Sequence, residues 1–441
     1  MPQTLSELMA MLQHFSQRVI PLWTNVDNII EDFIYYYPLL MAYIWMFGAI
    51  IFYFRFEWRQ HGNEEHLPEL TEYPPVSVLI PCYNEADNIR ETIEVLTRQK
   101  YPNFEIIAIN DGSKDNTLEI LTELATRTPQ LRVVNLHTNQ GKAVGLHTAA
   151  ILAKSEILVC IDGDALLAPE AIAWMARHFI HNSAVGAITG NPRIRNRSTL
   201  LGKIQVGEFS AIVGMIKRAQ RTYGQIFTVS GVIAAFRKSA LHDVGYWSND
   251  MITEDIDISW KLQLGGWTIL FEPNALCWVL MPETLSGLWQ QRRRWAQGGT
   301  EVLMRYFNAL FRWSSRGMWI LYAECLISIT WAFLILAHLI FAPFELLTES
   351  TRQSLHDLSP SWTSMLLSIT CLVQFGVSLA IDSQYEARTG GIAKYYYWMV
   401  WYPVIYWMIN VGTTIAGSIR ALKKKRGQRA LWVTLDRGLR K

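Results

Sequence analysis

Half of the 441 residues are apolar and 18% are charged, below the roughly 25% usual for soluble domains, which excludes a wholly soluble globular class. The 40 basic residues nearly balance the 38 acidic ones, and a net charge of +2 argues against a general nucleic-acid binder. Cys82, Cys160, Cys277, Cys325 and Cys371 are scattered, with no Cys-x-x-Cys pair and no accompanying His spacing. Neither a disulfide framework nor a zinc site is expected of them, and apolar packing is the default.

The apolar excess is local. Residues 5–30 are interrupted by Glu7, His14, Arg18 and Asp27, and read either as an interfacial helix or as a poor first span; no compact apolar run with a small-residue cleavage site marks a removable signal. Residues 33–54 form an uncharged run long enough to cross a hydrocarbon core of roughly 30 Å. Tyr35, Tyr36, Tyr37, Tyr53 and Trp58 lie at its ends, as an interfacial aromatic belt would. The polar, proline-containing stretch 60–75 reads as a linker that closes an N-terminal membrane region of residues 1–59.

From Val76 to about Leu280 short β-branched runs alternate with helical stretches. Strands are expected at 76–81, 104–110, 131–136, 156–161 and 184–189, and helices at 85–98, 115–127, 141–153 and 169–179. This is the pattern of an α/β domain with a mainly parallel sheet covered by helices. Ligands of such sheets bind beyond the carboxyl ends of the strands, where Asp111 and Asp162-Gly-Asp164 fall.

Asp162-Gly-Asp164 sets two carboxylates two residues apart, with a glycine that lets the backbone turn closely around a ligand. Hard oxygen ligands suit Mg2+ or Mn2+, ions that keep several waters and bind substrate phosphates; a turn with two solvated acids is the plainer account. Asn110-Asp111-Gly112-Ser113 ends the second strand, where Asp111 can accept hydrogen bonds from a nucleoside and Asp115 can cap the next helix. An Asx-turn explains the same residues without a ligand. Tyr83 and Glu85 follow the first strand and Lys142 follows the third, all on the same ligand face; Lys142 meets a phosphate in one reading and water in the other. Thr253-Glu254-Asp255 opens a helix with Thr253 as N-cap. A carboxylate there can deprotonate an acceptor hydroxyl within hydrogen-bond reach, although acids in a first helical turn are also favourable on electrostatic grounds alone.

Gln291, Arg294 and Trp295 are spaced i, i+3, i+4 in Gln291-Arg292-Arg293-Arg294-Trp295 and share one helical face. Leu285, Leu288, Trp289 and Ala296 give that helix a partly apolar stripe, as expected of an interfacial region over residues 283–316. Guanidinium and amide groups can hold a diphosphate and an indole can stack on a sugar ring; a basic helix that binds anionic lipid is the alternative. Residues 319–344, 362–381 and 395–419 read as spans of a C-terminal membrane region at 317–419, leaving 420–441 as a basic tail. Lys423-Lys424-Lys425-Arg426 favours a cytoplasmic tail. Three spans after a cytoplasmic middle domain would put it outside, so either one of the three is interfacial or the charge rule fails.

Together with Gly190-Asn191-Pro192-Arg193-Ile194-Arg195, the run 228–237 through Ser230-Gly231, and the run 250–260, these motifs resemble the processive membrane glycosyltransferases of family 2, the cellulose, hyaluronan and chitin synthase type. Within that type they are similar to the catalytic subunits of bacterial poly-β-1,6-N-acetyl-D-glucosamine synthases. The similarity runs from about Pro38 onward; the first 32 residues depart from the two-span N-terminus of those proteins.

The resemblance implies an α/β GT-A (Rossmann-like) cytoplasmic domain at 76–282, embedded between transmembrane and interfacial helices. It implies a UDP-N-acetylglucosamine donor, a growing polysaccharide acceptor, Mg2+ or Mn2+, a biofilm product, and a multi-pass place among the lipids of a Gram-negative inner membrane. A small two-span partner subunit with cyclic di-GMP at the interface is implied too, although no cyclic-di-GMP motif is visible here. Carried over residue by residue, Asp111 and Asp162 bind UDP, with Tyr83, Glu85 and Lys142 on the same donor face, and Asp164 binds the metal. Asp255, beside Glu254, is the general base of a single inverting displacement, and Gln291, Arg294 and Trp295 shape the acceptor end. Another polysaccharide synthase, a non-processive lipid-linked sugar transferase and a non-catalytic membrane scaffold stand as alternatives.

Overall fold

The computed structural model describes residues 5–58, 67–345, 362–389, 391–425 and 427–431. The side chains of residues 5–28, on which the reading of the first helix turns, lie outside that set, as do 60–66 of the linker and 432–441 of the tail.

Four strands, β1 (Val76–Cys82), β2 (Phe104–Asp111), β3 (Leu131–Leu136) and β4 (Ile157–Ile161), pair in parallel in the order β3-β2-β1-β4. Their sequences are nearly continuous apolar runs because helices cover both faces. Alternation sorts the side chains: Val78, Ile80, Ile106 and Ala108 face one core, and Leu79, Ile107, Ile109 and Leu158 face the other. The connecting helices are α2 (Ile89–Leu96), α3 (Thr117–Arg127) and α4 (Lys142–Leu152), followed beyond β4 by α5 (Ala171–His181).

The second half keeps the sheet mainly parallel and adds two reversed strands. The two-residue β5 (Leu166–Leu167), β6 (Val185–Ile194), β7 (Ile233–Arg237) and β8 (Thr268–Val279) complete eight strands in the order β3-β2-β1-β4-β7-β6-β8-β5. β6 and β8 pair in parallel, whereas β7 runs antiparallel between β4 and β6, and β5 antiparallel on β8. A five-residue run such as β7 carries no sign of its direction; the connection before it decides. That connection is α6 (Leu200–Glu208), a π-helical stretch at Phe209–Met215, and α7 (Ile216–Tyr223). Short α8 (Lys238–Asp243) and α9 (Glu254–Leu264) follow β7.

Helix α1 (Leu5–Phe52) ends in a π-turn at Tyr53–Glu57. After the sheet come α10 (Leu285–Tyr306), α11 (Trp319–Glu345), α12 (Trp362–Asp382) and α13 (Trp407–Lys423). Among the described residues three helices are long and apolar enough to cross a membrane: Ile29–Glu57, Trp313–Ile340 and Trp362–Ala387. The fourth expected span, 395–419, is not one helix. It breaks into a 3-10 segment (Ala393–Trp401), a π-turn (Tyr402–Tyr406) that includes Pro403, and α13. Proline supplies no N–H to a helical ladder, and α13 lies against α10, where Ser418 and Thr300 hydroxyls are 3.0 Å apart. Beyond α13 the chain stays beside the sheet domain. Lys424 pairs with Glu301 at 2.8 Å, and the Ala430 N–H donates to Asn249 at 2.9 Å.

A buried charge network joins these helices to the sheet. Arg218 on α7 holds both oxygens of Glu57, at the end of the α1 π-turn, at 2.7 and 3.1 Å, and reaches Asp382, the last residue of α12, at 2.9 Å. Arg193 on β6 binds the other Asp382 oxygen at 2.5 Å and Glu386 at 2.6 Å, and Arg197 binds Glu386 at 2.6 Å. Three arginines thus meet three carboxylates. Removing one member of a buried pair strands the others, so Asp382→Asn is expected to cost about 3–5 kcal/mol. A markedly lower unfolding temperature of the full chain in detergent would show it, and an unchanged one would mean that the network is not strained by losing this carboxylate.

Candidate active site

The carboxyl ends of β1, β2 and β4 and the start of α9 converge. Asp111 closes β2 fully buried, its two oxygens accepting the N–H of Gln140 at 2.7 Å and of Gly141 at 2.8 Å. Burial raises its pKa, against those two N–H donors. Both oxygens therefore already shape the loop into α4, each with a lone pair remaining. Gly141 takes φ +93°, and a Cβ there would overlap the carbonyl of Ala430, so the tail lies directly on this loop. Arg429 donates to Gln140 beside it. Asp115, one residue before the N-cap position Asn116, accepts the N–H of Thr117, the first residue of α3, and that of Ala86, so it satisfies a free donor at the helix start as expected.

The turn Asp162-Gly-Asp164 follows β4. Thr92 donates to the Gly163 carbonyl at 2.8 Å, and a Cβ on Gly163 would come within 2.8 Å of Glu85 Cγ. Glu85 is thus a buried neighbour of the acidic turn, while Tyr83 sits half-buried just before it in the chain. Asp164 is 7% exposed. Lys142 is paired within the protein and not solvated: its Nζ lies 2.7 Å from Asp162 Oδ1, 3.0 Å from Glu254 Oε1 and 3.0 Å from the Gly231 carbonyl. Despite burial, these carboxylates hold its pKa well above the ordinary lysine range.

Thr253 occupies the N-cap position of α9 but makes no capping hydrogen bond, contrary to expectation. Its side chain is pressed by α10, where a Cβ on Gly298 would overlap Thr253 Oγ1. Glu254 is buried; burial opposes its ionisation, but the Lys142 ammonium holds its pKa below the usual range. Asp255 rests against the Gly231 backbone, where a Cβ would approach Oδ2 to 2.9 Å. Burial, then the neighbouring Glu254 charge, pushes its pKa up to about 6, against Lys142 and Arg294. The two adjacent acids are therefore driven apart, Glu254 toward permanent ionisation and Asp255 toward titration near neutrality.

On α10, Arg294 faces these carboxylates, and its Nε and the Gln291 Oε1 are buried without a hydrogen bond among the described residues. Trp295 is half-buried against the core and lies under the Arg292 guanidinium. The expected lipid-facing stripe is instead partly covered. Trp289 and Ala296 abut Gly412 and Gly417 of α13 and Leu288 is buried, while Leu285 and part of Trp289 remain exposed. All eleven candidate residues lie on the β1, β2 and β4 ends, α4, α9 or α10.

Some participants carry no sequence signal that marks them. Lys217 on α7 is buried and donates to Thr189 Oγ1 at 2.8 Å; burial lowers its pKa to about 7, with Asp255 as its charged neighbour. Glu208 pairs with Arg292 at 2.6 Å. Gly298 does carry a signal, since a glycine inside a helix pattern marks a close approach. Gly298→Ala is expected to destabilise the chain by about 1–3 kcal/mol, by forcing the α9 N-terminus away from α10. Unfolding temperatures of the variant and of Gly299→Ala, whose Cβ meets only Phe227 at 3.5 Å, check this side by side.

A model of the glycosyltransferase-like family 2 matches residues 74–298. A poly-β-1,6-N-acetyl-D-glucosamine synthase of Staphylococcus epidermidis is 41% identical over 409 residues, covering 92% of this chain and 98% of the relative. The protein of that description from Staphylococcus aureus strain MW2 is 42% identical over 409 residues, with the same coverage. Among solved structures, a mannosyltransferase from Pyrobaculum calidifontis in complex with GDP-Man and Mn2+ is similar with a TM-score of 0.56 at 19% identity, covering 89% of this chain and 99% of that one, a likeness of GT-A fold. The chain belongs to glycosyltransferase family 2, is a glycosyltransferase, and has the poly-N-acetylglucosamine synthases among its relatives.

Proposed function

We propose that this protein polymerises N-acetylglucosamine from UDP-N-acetylglucosamine into β-1,6-linked exopolysaccharide, processively and with inversion, and feeds the chain across a bacterial inner membrane. The observation that carries the reading is the meeting of Asp162, Lys142, Glu254 and Asp255 under Arg294, together with the full-length similarity to synthases of that polymer. Donor-side acids, a carboxylate that titrates near neutrality and the Gln-x-x-Arg-Trp helix then serve one reaction.

In this reading the Gln140–Gly141 loop set by Asp111, with Tyr83, forms the nucleoside end. Arg294, whose buried Nε is an unpaired donor among the described residues, meets the diphosphate, and the Gln291 Oε1, an acceptor, is left for a sugar hydroxyl. Asp255 takes the proton from the terminal sugar hydroxyl as that oxygen bonds to the anomeric carbon and UDP leaves. Asp162 and Asp164 suit a divalent cation. Among the described residues no group of three or more His, Cys, Asp or Glu could hold an ion by itself, so substrate phosphate and water complete the shell, as Mg2+ and Mn2+ permit. When bound, the ion neutralises charge on the departing diphosphate. The tail's contact with the sheet domain supports two C-terminal spans, α11 and α12, with α13 on the catalytic side. The Lys423-Lys424-Lys425 run then lies inside, and the parity conflict disappears. The Gram-negative envelope, the two-span partner and cyclic di-GMP rest on the motif resemblance alone, the relatives above being staphylococcal.

The test is product analysis from membranes supplied with labelled UDP-N-acetylglucosamine. β-1,6-linked polymer is expected; a lipid-linked single sugar would overturn the proposal. Asp255→Asn should slow transfer by about 10²- to 10⁴-fold with UDP affinity unchanged. Since only the ionised carboxylate accepts a proton, the wild-type rate should rise through about pH 6 and be lost below it. An activity flat from pH 5 to 7 removes Asp255 as base. Polymer formation should also stop with excess chelator and return with Mg2+ or Mn2+, and Asp164→Asn should prevent the return.

A further inference from the structure

One face of the Trp295 indole is already occupied. The Arg292 guanidinium carbon lies 4.2 Å from the ring centroid, and Arg292 Nη2 donates to Glu208 Oε2 at 2.6 Å. The two side chains are 8% and 3% exposed. Asn410 of α13 also bonds Glu208 and donates to Tyr402 Oη at 3.1 Å. Glu208 is the residue at which α6 gives way to the π-helical stretch, so its direction is set by the widened turn that follows. Out of water, a cation over an indole is held firmly. A guanidinium at that distance also fills the space a pyranose ring would need, so a sugar can stack only on the opposite face. The neighbouring arginines differ: Arg293 is half-exposed and Arg294 faces Glu254 and Asp255.

We propose that Glu208 and Arg292 are positioning residues for the acceptor: they clamp the Trp295 ring, reserve one of its faces for the terminal sugar, and so set how far a chain is extended before it is released. The inference rests on Trp295 being the acceptor platform. Mean length reflects elongation set against release, and a ring free to turn holds the terminal sugar less well. The nucleoside end of the donor site, built on β2 and the loop into α4, is remote from this pair in the chain, and neither Arg292 nor Glu208 bonds to Asp111, Gln140 or Gly141 among the described residues.

The experiment measures product length, UDP affinity and thermal stability on the same membranes for Arg292→Met, Glu208→Gln and the double variant Glu208→Met with Arg292→Met. The double variant replaces the ion pair by apolar groups of similar volume and so keeps the packing. Each is expected to bind UDP as the wild type does and to make chains roughly threefold to tenfold shorter, the scale of a lost desolvated cation–π contact. Arg292→Lys, which restores a charge over the ring, should recover part of the length. Wild-type length from the folded double variant overturns the inference, as does shortening that tracks lost stability and is not relieved by Arg292→Lys. Trp295→Ala separates the two levels. If it too gives full-length polymer, the platform reading fails; if it alone shortens the product, only the clamp does.

Discussion

The architecture depends on a set of charges that water cannot reach. Arg193, Arg197 and Arg218 face Glu57, Asp382 and Glu386 with near-complete burial of all but Arg197, and taking such groups out of water is tolerated only when each is paired and hydrogen-bonded. Tyr385 and Gln384 supply two more donors to Glu57, at 2.6 and 2.9 Å. The members come from the end of the α1 segment, from β6, from α7 and from the end of α12. None of these can slide by a residue without leaving a charge alone. β6 also carries Thr189, which accepts the Ser230 N–H and the Lys217 ammonium next to Asp255. The strand that anchors the apolar helices therefore also supports the backbone on which the candidate base rests.

A second balance operates inside the site. Asp162, Glu254 and Asp255 crowd around a single ammonium, Lys142, in a space from which most water is excluded. One cation cannot neutralise three acids, and the shortfall falls on Asp255, the acid that Lys142 does not contact directly and that Glu254 repels. Burial is the larger cause of its shift, and the Glu254 charge adds to it. Arg294, arriving from α10, adds the remaining positive field.

The first half of the sheet was legible because parallel strands buried on two faces read as unbroken apolar runs, and their ends carry Asp111 and the Asp162-Gly-Asp164 turn. Of the second half only β6 was legible, at 184–189; β7 has five residues and β5 two, and their directions are set by long-range connections. Among the candidate residues, clustering at the strand ends could be read from the sequence; the detail of pairing could not. Nothing about Lys142 announces that its partner is Glu254, more than a hundred positions away. Residues 395–419 read as one uniform helix from aromatic and apolar content, and Pro403 alone hints at the change of helix type there. Glu208 and Lys217 gave no warning at all, a buried charge being visible only once its surroundings are.

The contact of residues 427–431 with Gly141 and Asn249 has a consequence for the order of biogenesis. The sheet domain leaves the ribosome before α11 and α12 are made, and its strands can pair while those helices are still unwritten. The stretch that covers the Gln140–Gly141 loop emerges only after both. A chain whose synthesis has stopped before residue 427 thus lacks the cover that Ala430 gives the Gln140–Gly141 loop.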